Sequence, residues 1–600
     1  MNGKFLKDGE DGFRMLKIFK YFSKKEWIMA FISFVFIIAQ VWLELSIPQH
    51  MAQITTLVQT PGSAMGDVWR AGGLMMVATI GSLICAIIIG YFVAIIGARF
   101  SRRLRTLLFD KVDSFGLEEI NHFSTDSLIT RSTNDITQVQ ALITMGITTI
   151  VRAPIMAIWA MTRIVGKGFV WTAITAVAIL IMLTMITFIM YFVIPKFRKM
   201  QSLIDNMNRV TRESLTGIRV VRAYNAEKFQ ENKFEEANDE ITNTQLFTSR
   251  SMAITMPVLS FIMSGVNLSI YWVGAYLIDG VNYVDRLEIF ANMVVFSAYA
   301  VQVIMSFIML TMIFIMLPRA TVSAKRIREV LDKNPKLKEG NVTSGNLQFQ
   351  GEIEFKNVSF KYPGASEDIL TDINFKVKKG ETVAFIGSTG SGKSTLINLI
   401  PRFFDASSGQ VLIDGIDVKE YKIESLNEKI GYVSQKAILF KGSIASNVAF
   451  GLNNEAGFDK KQVSRAVSIA QATDFVETKD DQYDSEVTQG GTNLSGGQKQ
   501  RISIARAIYR NPEILIFDDS FSALDYKTDR LLRHTLKEKN EGITNLIVAQ
   551  RIGTIMDSDQ IIVLDEGKIV GMGKHKDLLK SCEVYLQIAT SQLTEEELAI

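Results

Sequence analysis

Apolar residues fall along this chain in two rhythms. Up to about residue 320 they come in long stretches, roughly 27–48, 71–97, 141–165, 168–194, 252–277 and 288–316. Each is near the ~20 residues that a helix needs to cross a bilayer. The pattern predicts an α-helical membrane domain over 26–320 with six spans. Beyond it the runs shorten to strand length: EIEFKNVSFKY, NFKVKKGETVAFIG, GQVLIDG, KIGYVSQ, PEILIFDD, NLIVAQR and QIIVLDEGKIVG, several of them separated by helical stretches. That order predicts an α/β domain over 349–590, with a largely parallel core and antiparallel additions. The charged stretch AKRIREVLDKNPKLKEGN ends in turn residues and reads as part of a linker over 321–348, and 591–600 reads as a tail.

Before the first span, FRMLKIFKYFSKK alternates apolar and basic residues at helical spacing. The leader 1–25 therefore reads as a helix on the cytoplasmic membrane surface and not as a signal peptide. Basic residues set the orientation. The leader carries Lys17, Lys20, Lys24 and Lys25. The segment after span two carries Arg99, Arg102, Arg103, Arg105 and Lys111, and the segment after span four carries Lys196, Arg198, Lys199, Arg209 and Arg212. Loops 49–70 and 278–287 are poor in Lys and Arg, so both termini and both long loops are expected in the cytoplasm. Those long loops keep helical apolar spacing, which predicts membrane helices that continue past the bilayer as levers.

Composition adds exclusions. A net charge of +3 over 600 residues implies no nucleic-acid partner. Cys85 and Cys582 are the only cysteines, which excludes a disulfide framework and a Cys-rich metal site. Gln40, Glu44, Arg152, Asn267 and Gln302 interrupt the apolar spans. Such groups are costly in lipid, and they either line a substrate path or serve as structural hydrogen-bonders. Glu44 and Arg152 are expected at different depths and so need not pair. All methionines except Met556 and Met572 lie before residue 320, where they can form an adaptable apolar surface.

The soluble half carries the chemistry. VAFIG runs into GSTGSGKST, in which Gly387, Gly392, Lys393 and Ser394 fit G-x-x-x-x-G-K-[ST] between a strand and an apolar helix. In this context the loop Gly387, Ser388, Thr389, Gly390, Ser391, Gly392 wraps phosphates with backbone N–H groups, followed by Lys393, Ser394 and Thr395. Lys393 reaches the outer phosphates and the Ser394 hydroxyl can ligate Mg²⁺. ILIFDDSFSALD supplies Asp518 as the magnesium-side carboxylate, with Asp519 next to it. LSGGQKQRISIARAI opens a second helix with Ser495, Gly496, Gly497 and Gln498. One domain rarely needs two phosphate grips for one nucleotide, so the second is expected to serve a nucleotide on another chain.

Over nearly its whole length the chain resembles an ATP-binding cassette (ABC) exporter half-transporter, six spans fused to one nucleotide-binding domain. The resemblance implies that two such chains pair, with ATP between the phosphate loop of one and the LSGGQ of the other. It implies that Tyr362 stacks on adenine and that Gln435 senses Mg²⁺ and contacts the membrane levers. It also implies that Asp525 links the two sites and that EINHFSTDS and AYNAEKFQE hold coupling helices. Two positions depart from the family pattern: Asp519 stands where a glutamate general base is expected, and Gln550 where a histidine is expected. The chain thus resembles the degenerate-site subunit of heterodimeric bacterial multidrug exporters. That implies a multi-pass protein of the cell membrane, using ATP and Mg²⁺ to move amphipathic drugs or other hydrophobic compounds. Alternatives are a homodimeric lipid or peptide exporter and, further off, an ATP-gated channel or sensor.

Overall fold

A computed structural model describes residues 17–60, 62–165, 169–280, 283–451, 458–539 and 542–594. The expected surface leader therefore lies outside the described residues up to 16, where Lys17–Tyr21 begins as a short 3-10 turn. The tail beyond 594 lies outside them too. The chain divides into two units, one of residues up to 113 with 126–333, the other of 114–125 with 334 onward.

The first unit is helical. Among the described residues, six helices are long and apolar enough to cross a membrane: Lys24–Gln59, Met65–Asp113, Thr125–Ile164, Phe169–Val193, Glu227–Asp279 and Arg286–Leu310, the last within Tyr283–Leu331. Ile37, Val41 and Leu45 recur every fourth residue on the inner face of the first helix, while Trp27, Phe31 and Trp42 stay exposed. Two apolar faces on one helix suit a bundle whose outer solvent is lipid. The helices overrun the bilayer. Glu227–Asp279 has 53 residues, about 80 Å at 1.5 Å per residue, against a hydrocarbon core of about 30 Å.

Three expectations change here. The first helix continues to Gln59 and the second begins at Met65, so most of the expected loop 49–70 is helix. That extension moves Glu44 to mid-helix, and it pairs with Arg152: Nη2 of Arg152 donates to both carboxylate oxygens of Glu44, at 2.9 and 2.8 Å. The expected separation came from ending the span too early. Gln40 and Ser82 also donate to Glu44, at 3.0 and 3.2 Å, so the charge is satisfied from three helices. Finally, the linker starts later than 321. Ala324, Ile327 and Val330 are buried at helical spacing and carry the last helix on to Leu331.

The second unit is α/β. Its strands are β1 (Ile353–Phe360), β2 (Leu370–Val377), β3 (Thr382–Gly387), β4 (Ser408–Ile413), β5 (Ile416–Asp417) and β6 (Ile430–Val433), then β7 (Gly442–Ser443), β8 (Glu486–Val487), β9 (Ile514–Asp518), β10 (Thr544–Val548), β11 (Gln560–Asp565) and β12 (Lys568–Gly573). One sheet has the order β12-β11-β3-β10-β9-β6 and is parallel except at β12. A second, antiparallel sheet has the order β2-β1-β4-β5. Every residue of β9 and β10 is buried, as expected for parallel strands covered on both faces. This unit also holds the short helix Leu117–Phe123, whose Glu119 accepts from the backbone N–H of Lys336 at 3.0 Å.

Candidate nucleotide site

Strand register builds the site. In the parallel sheet Val548 lies level with Asp518 and Phe385, and Phe517 level with Val433. Four strands thus end together. The loops that follow deliver the Gly387 loop, Gln435, the Asp518–Asp519 pair and Gln550 to one edge, the usual ligand edge of such a sheet.

After β3 the chain turns through Gly387 to Gly392 into the helix Lys393–Asn398. Gly392 has φ 95°, and a Cβ there would lie 2.7 Å from Leu370 Cδ2, so only glycine fits. Ser388, Thr389 and Gly390 are exposed, while Ser391 and Gly392 are buried beneath them. Lys393 Nζ donates to the carbonyls of Gly387 and Ser388, at 2.9 and 2.7 Å, and to Ser391 Oγ at 3.3 Å. Burial lowers the Lys393 pKa, against the pull of Asp519 and Asp518.

Ser394 Oγ donates to Asp518 Oδ1 at 2.8 Å, and Tyr432 reaches Oδ2 at 3.4 Å. Burial raises the Asp518 carboxyl, with the bonds from Ser394 and Tyr432 opposing. Among the described residues no group of three or more His, Cys, Asp or Glu could hold a metal. The adjacent hydroxyl and carboxylate nevertheless fit Mg²⁺, which is held by one or two protein oxygens with water and phosphate completing its shell.

Asp519 follows with φ 47°, a left-handed conformation that aspartate tolerates better than most residues. Its Oδ2 accepts from Gln550 Nε2 at 2.8 Å and from Gln435 Nε2 at 3.1 Å. The structure therefore brings Gln550 and Gln435 together on one oxygen of Asp519. Tyr362 places its hydroxyl 3.1 Å from Thr395 Oγ1, with its ring edge-on to Phe404.

The remaining expected residues stand apart. Ser495 caps the helix Gly496–Tyr509 in a reciprocal box with Gln498, the two backbone N–H bonds measuring 3.3 and 3.0 Å. These side-chain bonds run to each other and not to the phosphate loop. Asp525 caps the helix Tyr526–Lys539 through the Thr528 N–H and hydroxyl, at 2.9 and 2.7 Å, which lowers its pKa. Sequence reasoning missed Tyr432, Gln500, whose Nε2 donates to the carbonyl of Ser434 at 3.2 Å, and Gln592, which bonds the backbone beside Gln550. Tyr432 directly follows a strand glycine, Gly431, in a mostly buried strand, but nothing local marks the others.

The fold and this edge define a nucleotide-binding domain of the P-loop class joined to a polytopic helical region. Residues 370–522 match the family described as ABC transporter, and residues 30–307 match the ABC transporter transmembrane region. The chain is 37% identical over 554 residues to an uncharacterised ABC transporter ATP-binding protein of Mycobacterium tuberculosis (strain ATCC 25618 / H37Rv), covering 90% of this chain and 93% of that one. It is 32% identical over 498 residues to an ATP-dependent lipid A-core flippase of Pseudomonas fluorescens (strain Pf0-1), covering 83% and 81%. A solved structure described as a bacterial Atm1-family ABC exporter with ATP bound matches with a TM-score of 0.77 at 23% identity, over 95% of this chain and 100% of that one. This protein belongs to the ABC transporter family, with the exporter arrangement of a membrane region fused to an ATPase domain.

Proposed function

We propose that this chain is one subunit of a two-chain, ATP-driven exporter. Its own site binds MgATP and hydrolyses it slowly, while its Ser495–Gln498 segment completes a faster site on the companion chain. Ser394 and Asp518 hold Mg²⁺, Tyr362 stacks on adenine, and both termini lie in the cytoplasm. The observation that carries this reading is the double tether on Asp519 Oδ2 by Gln550 and Gln435. A general base must come within about 2.6–3.2 Å of the attacking water. Aspartate for glutamate withdraws the carboxylate by roughly 1.5 Å, one C–C bond. A displacement of about 1 Å can cost on the order of 100-fold. Gln550 donates a hydrogen bond but carries no charge. Binding groups are intact and the cleaving groups are shortened and tied, so the site is built for retention. The cargo class is amphipathic, in keeping with the apolar, Met-rich spans.

A second reading is a homodimeric lipid exporter, favoured by relatives named as lipid A-core flippases at 32% and 30% identity. ATPase assays of the purified chain, alone and with a co-purified second half-transporter, separate the two. The two-chain reading expects little turnover alone and restoration by the companion. Brisk turnover by the chain self-paired selects the homodimer.

A further inference from the structure

One side chain from far along the sequence also reaches this site. The helix Glu583–Thr590 seats Tyr585 and Ala589, both fully buried, in the core beside β3 and β11. Its end is closed by the N–H groups of Gln592 and Leu593, which donate to the Ala589 carbonyl at 3.0 and 2.9 Å, and Leu593 packs on the core. The backbone of Gln592 is thereby fixed. Its side-chain amide brackets Arg551: Nε2 donates to the Gln550 carbonyl at 2.8 Å, and Oε1 accepts from the Ile552 N–H at 2.8 Å.

Both halves of the amide are used, and a primary amide offers that donor–acceptor fork where a carboxylate or hydrocarbon does not. The bracket also meets a local need. Ile552 opens a four-residue helix whose N-cap, Arg551, makes no side-chain cap, so Gln592 satisfies its otherwise orphaned N–H. Gln550 is therefore held at two points: its main chain by Gln592, and its side chain on Asp519.

We propose that Gln592 is a positioning residue for the nucleotide site. It sets the loop that carries Gln550 toward the terminal phosphate, and so makes retention of ATP depend on the carboxyl-terminal helix. The proposal rests on the nucleotide reading of this edge and not on the two-chain arrangement. Steady-state turnover of the chain alone tests that arrangement separately.

The test uses the full chain in nanodiscs with Mg²⁺, following release of bound ATP and ADP and amide exchange over 549–553. Gln592→Ala should speed ATP release about 10-fold, since small displacements at a positioned group carry such costs. ADP release should stay unchanged, because ADP lacks the phosphate that Gln550 faces, and exchange over 549–553 should rise. Gln592→Glu keeps the acceptor and loses the donor, so its effect should be intermediate. In a Gln550→Ala background, Gln592→Ala should add nothing. Equal acceleration of ATP and ADP release, or an undiminished effect in that background, assigns Gln592 a purely structural role and overturns the proposal.

Discussion

Gln550 Nε2 lies 2.8 Å from Asp519 Oδ2, so the amide beside β10 holds the acid that follows β9. The contact joins the two side chains on which the proposed slow hydrolysis rests. A histidine and a glutamate there would face each other as acid and base.

Restoring length should restore cutting. Asp519→Glu with Gln550→His is expected to raise ATP turnover of the purified chain by up to about 100-fold, the cost attached to roughly 1 Å of misplacement. ATPase assays at saturating MgATP check this. Asp519→Ala should leave transport by the assembled exporter nearly unchanged.

Glu44 and Arg152 should behave as a coupled pair. Their side chains are 18% and 31% exposed, so the cost of breaking the pair is discounted to about 2 kcal/mol from that of a fully buried one. Glu44→Ala alone should destabilise more than Glu44→Ala with Arg152→Leu, because the single change strands a charge. Thermal unfolding of the four proteins in nanodiscs closes the cycle.

Asp518 gives a pH signature. Burial raises its carboxyl pKa in the folded protein above the ordinary value, so the protonated form favours folding and ionisation opposes it. That contribution is present below the unfolded value and is lost as pH rises through the folded one. Asp518→Asn should therefore raise the Tm of the nucleotide-free protein at neutral pH. The gain should shrink as pH falls below the ordinary carboxylate range. The same variant should lose Mg²⁺-dependent ATP binding.

Tyr362 should report on the base. Tyr362→Ala is expected to weaken ATP binding about 10-fold or more, since stacking a base on an aromatic ring is worth about 1–3 kcal/mol. Tyr362→Phe loses only the hydroxyl bond to Thr395 and should bind nearly as well. Equilibrium titration with a fluorescent ATP analogue distinguishes them.

The phosphate loop was legible because its logic is local: strand, glycines, lysine and helix follow one another from Val383 to Asn398. The parallel core was legible from buried runs such as ILIFD. What escaped the sequence was long-range or depended on where a helix stops. Glu44 and Arg152 were separated by a helix end placed near residue 48 instead of Gln59. Glu119 meets the Lys336 backbone across 217 positions, so only the family resemblance, which implied a coupling helix in EINHFSTDS, singled out this segment, and no local pattern gave its partner in the α/β unit. Gln592 meets Gln550 across 42 positions, and a glutamine after a helix carries no signal of its partner.

The helix Glu227–Asp279, with 53 residues, has a mechanical consequence. About 30 Å of it fits within hydrocarbon, which leaves roughly 50 Å outside at 1.5 Å per residue. Swinging the Glu227–Met256 segment, which runs about 45 Å up to Pro257, by about 5° sweeps its far end through roughly 4 Å, an atomic contact distance. Power can therefore pass along it by rotation of a stiff shaft, and no residue need melt to make the stroke.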